Sequence, residues 1–222
     1  DLLTEHHVDI MPKKGGINCY GAYVYDTGKR KVETFMSVTT MLSTGGTGQV
    51  YLHTTNPDIA TGDGIAMAYR AGAKVGNLEF MQFHPTTLKR TDDGTFLISE
   101  AMRGYGGVIV DKNGNRLMEH LEMKDLSPRD IVARTIDRYL KSSGEDCVYL
   151  DVSGFDADTT IKRFPHIYET CLEYGVDITI EPIPVVPAAH YMCGGVLTDN
   201  EGKTTISNLY ATGETAFTGL HG

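Results

Sequence analysis

Between residues 17 and 36, INCYGAYVYDTGKRKVETFM forms two β-rich runs around Asp26-Thr27-Gly28-Lys29, whose residue types supply the turn of a hairpin. The next run, SVTTMLSTGGTG, reads as a strand that enters a glycine cluster at Gly45, Gly46 and Gly48. Backbone there can approach a ligand with no β-carbon in the way. In DGIAMAYRAGA, residues 63 to 73, small and apolar residues recur at helical spacing from Asp63 towards Gly72, which predicts a short, largely buried helix. The apolar and aromatic LEFMQFHP predicts a strand ended by Pro85, with Gln82 and His84 near its carboxyl end, where ligands prefer to bind.

Further along, Ser127 and Pro128 predict the N-cap and first residue of a helix, with Asp130 at the capping-box position. Ile131, Val132, Thr135, Ile136, Tyr139 and Leu140 trace one face of it, and Gly144 closes it. CVYLDV predicts a strand, residues 158 to 174 a helical stretch interrupted at Pro165, and EPIPVVP an extended segment crossing between domains. CGGVLTD, a turn at Asn200 to Lys203, and NLYATGE ending at Gly213 before Glu214 add strands that need partners from earlier in the chain. No tandem repeat interrupts this order. The simplest architecture is a sheet domain formed by residues 1–77 and 191–222, interrupted by an inserted α+β domain at 78–190.

The 222 residues could fill one large domain or one and a half ordinary ones, and a hydrophobic content of 41% suffices for a real core. Against 29 acidic residues stand 20 basic ones, a net charge of −9, which argues against nucleic acid or an anionic membrane as partner. Cys19, Cys147, Cys171 and Cys193 are scattered without a CxxC pair, so neither a zinc site nor a disulfide framework is indicated, and a reducing, cytoplasmic setting fits. No apolar run approaches the length of a membrane span, and DLLTEHHVDI lacks the basic start of a signal peptide. Without an initiator methionine, the chain is expected to start in mid-protein.

Candidate chemistry gathers at a few places. In FLISEAMRGYGG, Ser99, Glu100 and Arg103 stand together before a glycine-rich stretch. They suit a small polar ligand, but Ser99 as N-cap with Glu100 and Arg103 as an ion pair on a solvated face is slightly favoured on spacing alone. Arg129 lies in the first turn of its helix, where the macrodipole disfavours a cation by some tenths of a kcal/mol. A functional role and a surface pairing with Asp125 or Asp130 are evenly matched.

His84 and His190 each follow an apolar run beside proline or glycine, and His6, His7, His53, His120, His166 and His221 are less clearly placed. Brought together with an arginine, the first two could hold a dicarboxylate, whereas either alone would be a structural residue. A metal is disfavoured, since no carboxylate or cysteine stands at ligand spacing, and the apolar neighbours of Cys193 suggest an inert thiol. There is no GxGxxG, so the usual strand-turn-helix for a dinucleotide pyrophosphate is missing.

Taken in order, TGGTGQVYLHTTNPDIATGDGIAMAYRAGA, LEFMQFHPT, ISEAMRGYGG, SPRDIVAR, VVPAAHYMCGGV and NLYATGETAFTGLHG closely resemble the succinate dehydrogenase/fumarate reductase flavoprotein family. HYMCGG and TGLHG are similar to its aspartate-oxidising branch, and Ser99 departs from the family's usual threonine while keeping the hydroxyl. The resemblance implies a partial FAD-binding Rossmann-like domain interrupted by an α+β capping domain that closes over a dicarboxylate at the flavin. By the same resemblance, Gln82, His84, Ser99, Glu100 and His190 hold substrate, and His190 faces it where the chain returns from the cap. Arg129 exchanges a proton with substrate, although a guanidinium is essentially always protonated. Gly45, Gly46, Asp63 and Glu214 contact FAD, Glu214 on the ribityl side.

The activity so implied is oxidation of L-aspartate to iminoaspartate in NAD biosynthesis, with hydride passing to flavin N5 and oxygen or fumarate reoxidising the flavin. L-Aspartate, fumarate and succinate are the implied ligands, and quinolinate synthase the implied protein partner. Two other readings remain: a succinate or fumarate oxidoreductase flavoprotein, and a non-catalytic cap fragment. The family's chain extends past both ends of this one, so weak FAD binding and little turnover are expected of these 222 residues alone.

Overall fold

The computed structural model describes residues 1–7, 16–89 and 96–220; His221 and the last residue of the TGLHG motif lie outside them. The chain divides into two compact units. One comprises Asp1–Val50, Pro57–Gln82 and Tyr191–Gly222, the other Tyr51–Asn56 and Phe83–His190. No sequence signal marks the transfer of the short segment Tyr51–Asn56 to the second unit.

The first unit opens with β1 (Leu2–Thr4), β2 (Cys19–Asp26) and β3 (Lys31–Met36), an antiparallel sheet in that order. The hairpin turn forms as expected: β2 and β3 pair from Gly21↔Met36 to Asp26↔Lys31, and Asp26 Oδ1 accepts the Lys29 N–H at 2.9 Å. This side-chain acceptor is what makes aspartate a turn residue. β4 (Thr40–Leu42) then runs into the glycine cluster. α1 (Asp63–Arg70) starts after Gly62, which is left-handed at φ 80°, and buries Ile65 and Ala68. β5 (Val75–Gly76) completes this stretch.

The second unit is built on β6 (Met81–Leu88), β7 (Phe96–Leu97), α2 (Glu100–Gly104), β8 (Val108–Val110), α3 (Arg129–Ser143), β9 (Val148–Asp151), α4 (Ala157–Arg163), α5 (Pro165–Glu173) and β10 (Ile183–Met192). Its five-stranded sheet runs β7-β6-β10-β9-β8. Ile98, Met102, Ile109, Met118, Ile136, Leu150, Ile178 and Ile183 are fully buried in one core, each worth about 1.5–3 kcal/mol of burial.

Three local expectations need correction. Pro85 does not end its strand: β6 continues to Leu88, so His84 lies within the strand rather than at its end. Among the described residues β7 pairs with Thr87 and Leu88, beyond Pro85, whose missing N–H is therefore not asked for by that ladder. The proline-rich crossing segment is likewise part of a ten-residue strand, β10. β9 pairs only with Ile183 to Val185, which leaves Pro187 beyond that ladder.

The predicted cap of α3 also fails. Pro128, not Ser127, flanks the helix, and no side chain caps it. Ser127 instead closes the preceding 3-10 turn, its N–H donating to the Lys124 carbonyl at 3.1 Å, while Asp130 pairs with Arg134. The break at Pro165 does occur, with that proline opening α5, where its missing N–H is harmless.

The chain then completes the first unit with β11 (Gly195–Leu197), β12 (Leu209–Ala211) and β13 (Ala216–Phe217). β11 lies between β5 and β13, and β12 pairs parallel with β4 from Leu209↔Thr40 to Ala211↔Leu42. Leu42, Ile65, Ala68, Met192, Val196, Ile206 and Leu209 fill this unit's core. Helices and mixed sheets therefore share the chain, and among the described residues no helix is long and apolar enough to cross a membrane.

Candidate active site

Within the second unit, α2 and α3 bring three charged side chains together. The Glu100 carboxylate receives Arg103 Nη2 on one oxygen at 3.0 Å, and Arg129 Nε and Nη2 on the other, both at 2.8 Å. The two surface partners expected for Arg129 have partners of their own. Asp130 is engaged by Arg134, and the Asp125 carboxylate accepts the Ile109 N–H at 2.7 Å.

Ser99 and Glu100 keep the local geometry that spacing predicted, for Ser99 Oγ accepts the Ala101 N–H at 3.2 Å and Glu100 pairs with Arg103. Glu100 is partly solvated, as expected, but its partner is not. Arg103 is only 2% exposed and donates Nη1 to the Asp125 carbonyl at 2.6 Å, while its Nε has no partner. A buried guanidinium without full pairing is costly, and burial followed by the Arg129 charge pushes it below its usual pKa against the pull of Glu100. For Glu100, burial raises the pKa, but the Arg129 hydrogen bond and the charges of Arg129, Arg103 and His84 outweigh it and leave the carboxyl below its ordinary range.

His84 from β6 and His190 from β10 meet edge to face, their ring centroids 5.5 Å apart. His84 is buried, and the Thr86 N–H donates to its Nδ1 at 3.3 Å, so that nitrogen is the acceptor and Nε2 carries the proton. Burial first, then the charges of Arg129, His190 and Arg103, push its pKa down to about 3. It is a neutral hydrogen-bond donor at any ordinary pH. His190 Nδ1 lies 2.7 Å from Thr55 Oγ1, and its carbonyl receives Asn56 Nδ2 at 3.0 Å.

Thr55 was missed by the sequence reading, as was the buried role of Arg103. The first stands 135 residues from its histidine, and no periodicity encodes such a contact. Gln82 and Tyr191 belong to the first unit, each at the edge of a strand segment that enters the second. Among the described residues, no group of three or more His, Cys, Asp or Glu side chains is placed to hold a metal ion.

The first unit carries a site of another kind. Thr215, fully buried, accepts the Thr44 N–H at 2.9 Å and donates to the Gly45 carbonyl at 3.0 Å, which fixes the loop after β4. Gly45 is left-handed at φ 74°, with open space where a β-carbon would lie. At Gly46 a β-carbon would meet Glu214 Oε1 at 2.3 Å, and that oxygen is pinned by the Met192 N–H at 2.7 Å. The Gly62 N–H donates to the Gly46 carbonyl at 3.0 Å, which sets Asp63, exposed at the start of α1, beside the same loop. Gly45, Gly46 and Glu214 thus lie together, and Asp63 follows the glycine that bonds to their loop.

Residues 1–222 match the FAD binding domain family throughout. The chain belongs to that family. Among curated relatives, "L-aspartate oxidase 1" of Ralstonia nicotianae is 58% identical over all of this chain, and L-aspartate oxidase of Pseudomonas aeruginosa 52%. The chain spans 41% of the length of each. Among solved structures, a variant of the E. coli quinol fumarate reductase subunit FrdA superposes with a TM-score of 0.85 at 34% identity, covering 95% of this chain and 38% of that one.

Membership in this family makes FAD the cofactor, and the loop after β4 suits it. A backbone stripped of β-carbons at Gly45 and Gly46 admits close approach, and the Glu214 carboxylate, held through one oxygen by Met192, keeps acceptor capacity for a ligand hydroxyl. Cys171 is buried and its pKa is raised to about 12 by that burial, and all four cysteines are unpaired.

Proposed function

We propose that this chain supplies the substrate cluster and part of the cofactor site of an FAD-dependent L-aspartate oxidase, converting L-aspartate to iminoaspartate. The observation that carries the reading is the assembly of Glu100, Arg103, Arg129, His84 and His190 within a chain 58% identical to a curated L-aspartate oxidase. FAD, when bound, supplies the two-electron acceptor for the hydride leaving the substrate carbon.

The residues of the chain do the rest. The neutral His84 imidazole donates a hydrogen bond without adding charge that would repel the arginines, so together with the cationic guanidinium groups it suits a dianion. His84 and His190 therefore hold carboxylates, with Ser99 and Gln82 contributing further polar contacts. Arg129 takes up the proton released at the substrate as it passes one of its own to the Glu100 carboxylate, which becomes the neutral acid. Held through both Nε and Nη2, its guanidinium has Glu100 as the nearest acceptor, and Glu100 is kept ionised by two arginines. An opposite charge favours the charged form of both partners, so proton exchange at Arg129 needs this paired transfer and does not pass through a free neutral guanidine.

In this reading residues 78–190 form the capping domain and residues 1–77 with 191–222 the interrupted FAD-binding domain. The four unpaired cysteines agree with a reducing, cytoplasmic setting. The product is a reactive imine, which suits hand-over to quinolinate synthase.

The fumarate reductase neighbour keeps a second reading open, oxidation of succinate or reduction of fumarate at the same cluster. Aspartate-dependent peroxide formation by the FAD-loaded full-length protein, with succinate as the control substrate, separates the two. Peroxide with aspartate and none with succinate is expected. The reverse pattern overturns the assignment.

A further inference from the structure

His84 and His190 reach the same place by different means. His84 has its Nδ1 engaged from its own strand, by the Thr86 N–H. The corresponding nitrogen of His190 is engaged from far along the chain, by Thr55 Oγ1 at 2.7 Å. The hydroxyl is not a loose surface group. The segment that carries it is bridged to β10, because the Ala189 N–H donates to the His53 carbonyl at 2.8 Å, and the Thr55 N–H and Thr54 Oγ1 donate to the Ala189 carbonyl at 2.9 and 3.0 Å. Asn56 Nδ2 adds a bond to the His190 carbonyl. Thr55 is thereby presented to the ring by the backbone.

An imidazole whose Nδ1 has no fixed partner samples two ring orientations and both neutral tautomers, because its terminal torsion is broad. Only some of those states point the Nε2 edge correctly, and the affinity for a ligand falls with the fraction of competent states. We propose that Thr55 is a positioning residue for dicarboxylate binding: by holding His190 Nδ1 it fixes the ring rotation and tautomer with which the Nε2 edge addresses the carboxylate. This rests on the dicarboxylate reading of the cluster.

The test compares Thr55→Val and Thr55→Ser in the FAD-loaded full-length protein. Succinate affinity should fall about tenfold in Thr55→Val, as expected for one lost hydrogen bond, and return to within about twofold of the original in Thr55→Ser. FAD affinity should not move. The imidazole nitrogen resonances of His190 should shift towards tautomer averaging in Thr55→Val and recover in Thr55→Ser. Unchanged resonances and succinate affinity in Thr55→Val, or a serine variant that rescues neither, overturn the inference. If the unmodified protein binds neither succinate nor aspartate, the functional reading fails, and the His190 resonances of the two variants alone decide the role of Thr55.

Discussion

The two candidate sites of this chain are made of opposite materials. In the second unit, side chains from residues 84, 100, 103, 129 and 190 converge, and charge dominates: one carboxylate holds two guanidinium groups beside a histidine too buried to ionise. In the first unit, the loop after β4 is shaped by main-chain bonds, a threonine hydroxyl and the absence of β-carbons, with one carboxylate at its edge. The charged cluster suits a small dianion and a moving proton. The glycine loop suits a large cofactor that needs close backbone approach. Substitutions should therefore separate the two, with changes in the cluster altering substrate handling and changes in the loop altering FAD affinity.

The largest break is expected at Arg129. Replacing it with leucine should lower aspartate turnover in the full-length enzyme by at least about 10³-fold, within the range of general acid–base contributions, while aspartate binding stays detectable. Near-normal steady-state turnover would remove its proton role. Next comes Gly46→Ala, whose new β-carbon would meet Glu214 Oε1 at 2.3 Å and Met192 Cβ at 3.0 Å, so the carboxylate must leave its bond to the Met192 N–H. Overpacking of about 1–3 kcal/mol should weaken FAD binding by roughly ten- to a hundredfold in a fluorescence titration. An unchanged dissociation constant would mean that the loop does not meet the cofactor.

His190→Ala should weaken dicarboxylate binding by about tenfold, as measured by calorimetry with succinate, and unaltered affinity would refute its role as a ligand group. The smallest effect sharpens the electrostatic half of the comparison. The folded pKa of His84 is about 3 against the ordinary 6.5, so between those values unfolding takes up a proton and stability rises with pH. The lowered carboxyl of Glu100 acts only lower down, around and below its ordinary 4.5. Stability should consequently decline as pH falls from 6.5 towards 4.5, and His84→Gln should flatten that slope in urea titrations. An identical slope in the variant would show that the imidazole is not held neutral.

Much of this was legible in the sequence because local rules govern it. The hairpin at Asp26 to Lys29, the strand into Gly45 and Gly46, the break at Pro165 and the ion pair of Glu100 with Arg103 all follow from residue type and short spacing. Pro85 misled because a proline stops a strand only where its N–H would be needed, and pairing partners cannot be read from one segment. For Arg129 the sequence left a functional role and a pairing with Asp125 or Asp130 evenly matched; it meets Glu100, 29 residues away, a contact that short spacing does not encode. The engagement of His190 by Thr55 spans most of the chain, and only the fold creates it.

The division between the two sites is tested most directly by titrating FAD into the full-length protein and its Arg129→Leu, His190→Ala and Gly46→Ala variants under one set of conditions. The account predicts unaltered FAD affinity for the two cluster variants and a marked loss for Gly46→Ala alone. Loss of FAD affinity in the cluster variants as large as that of Gly46→Ala would contradict it.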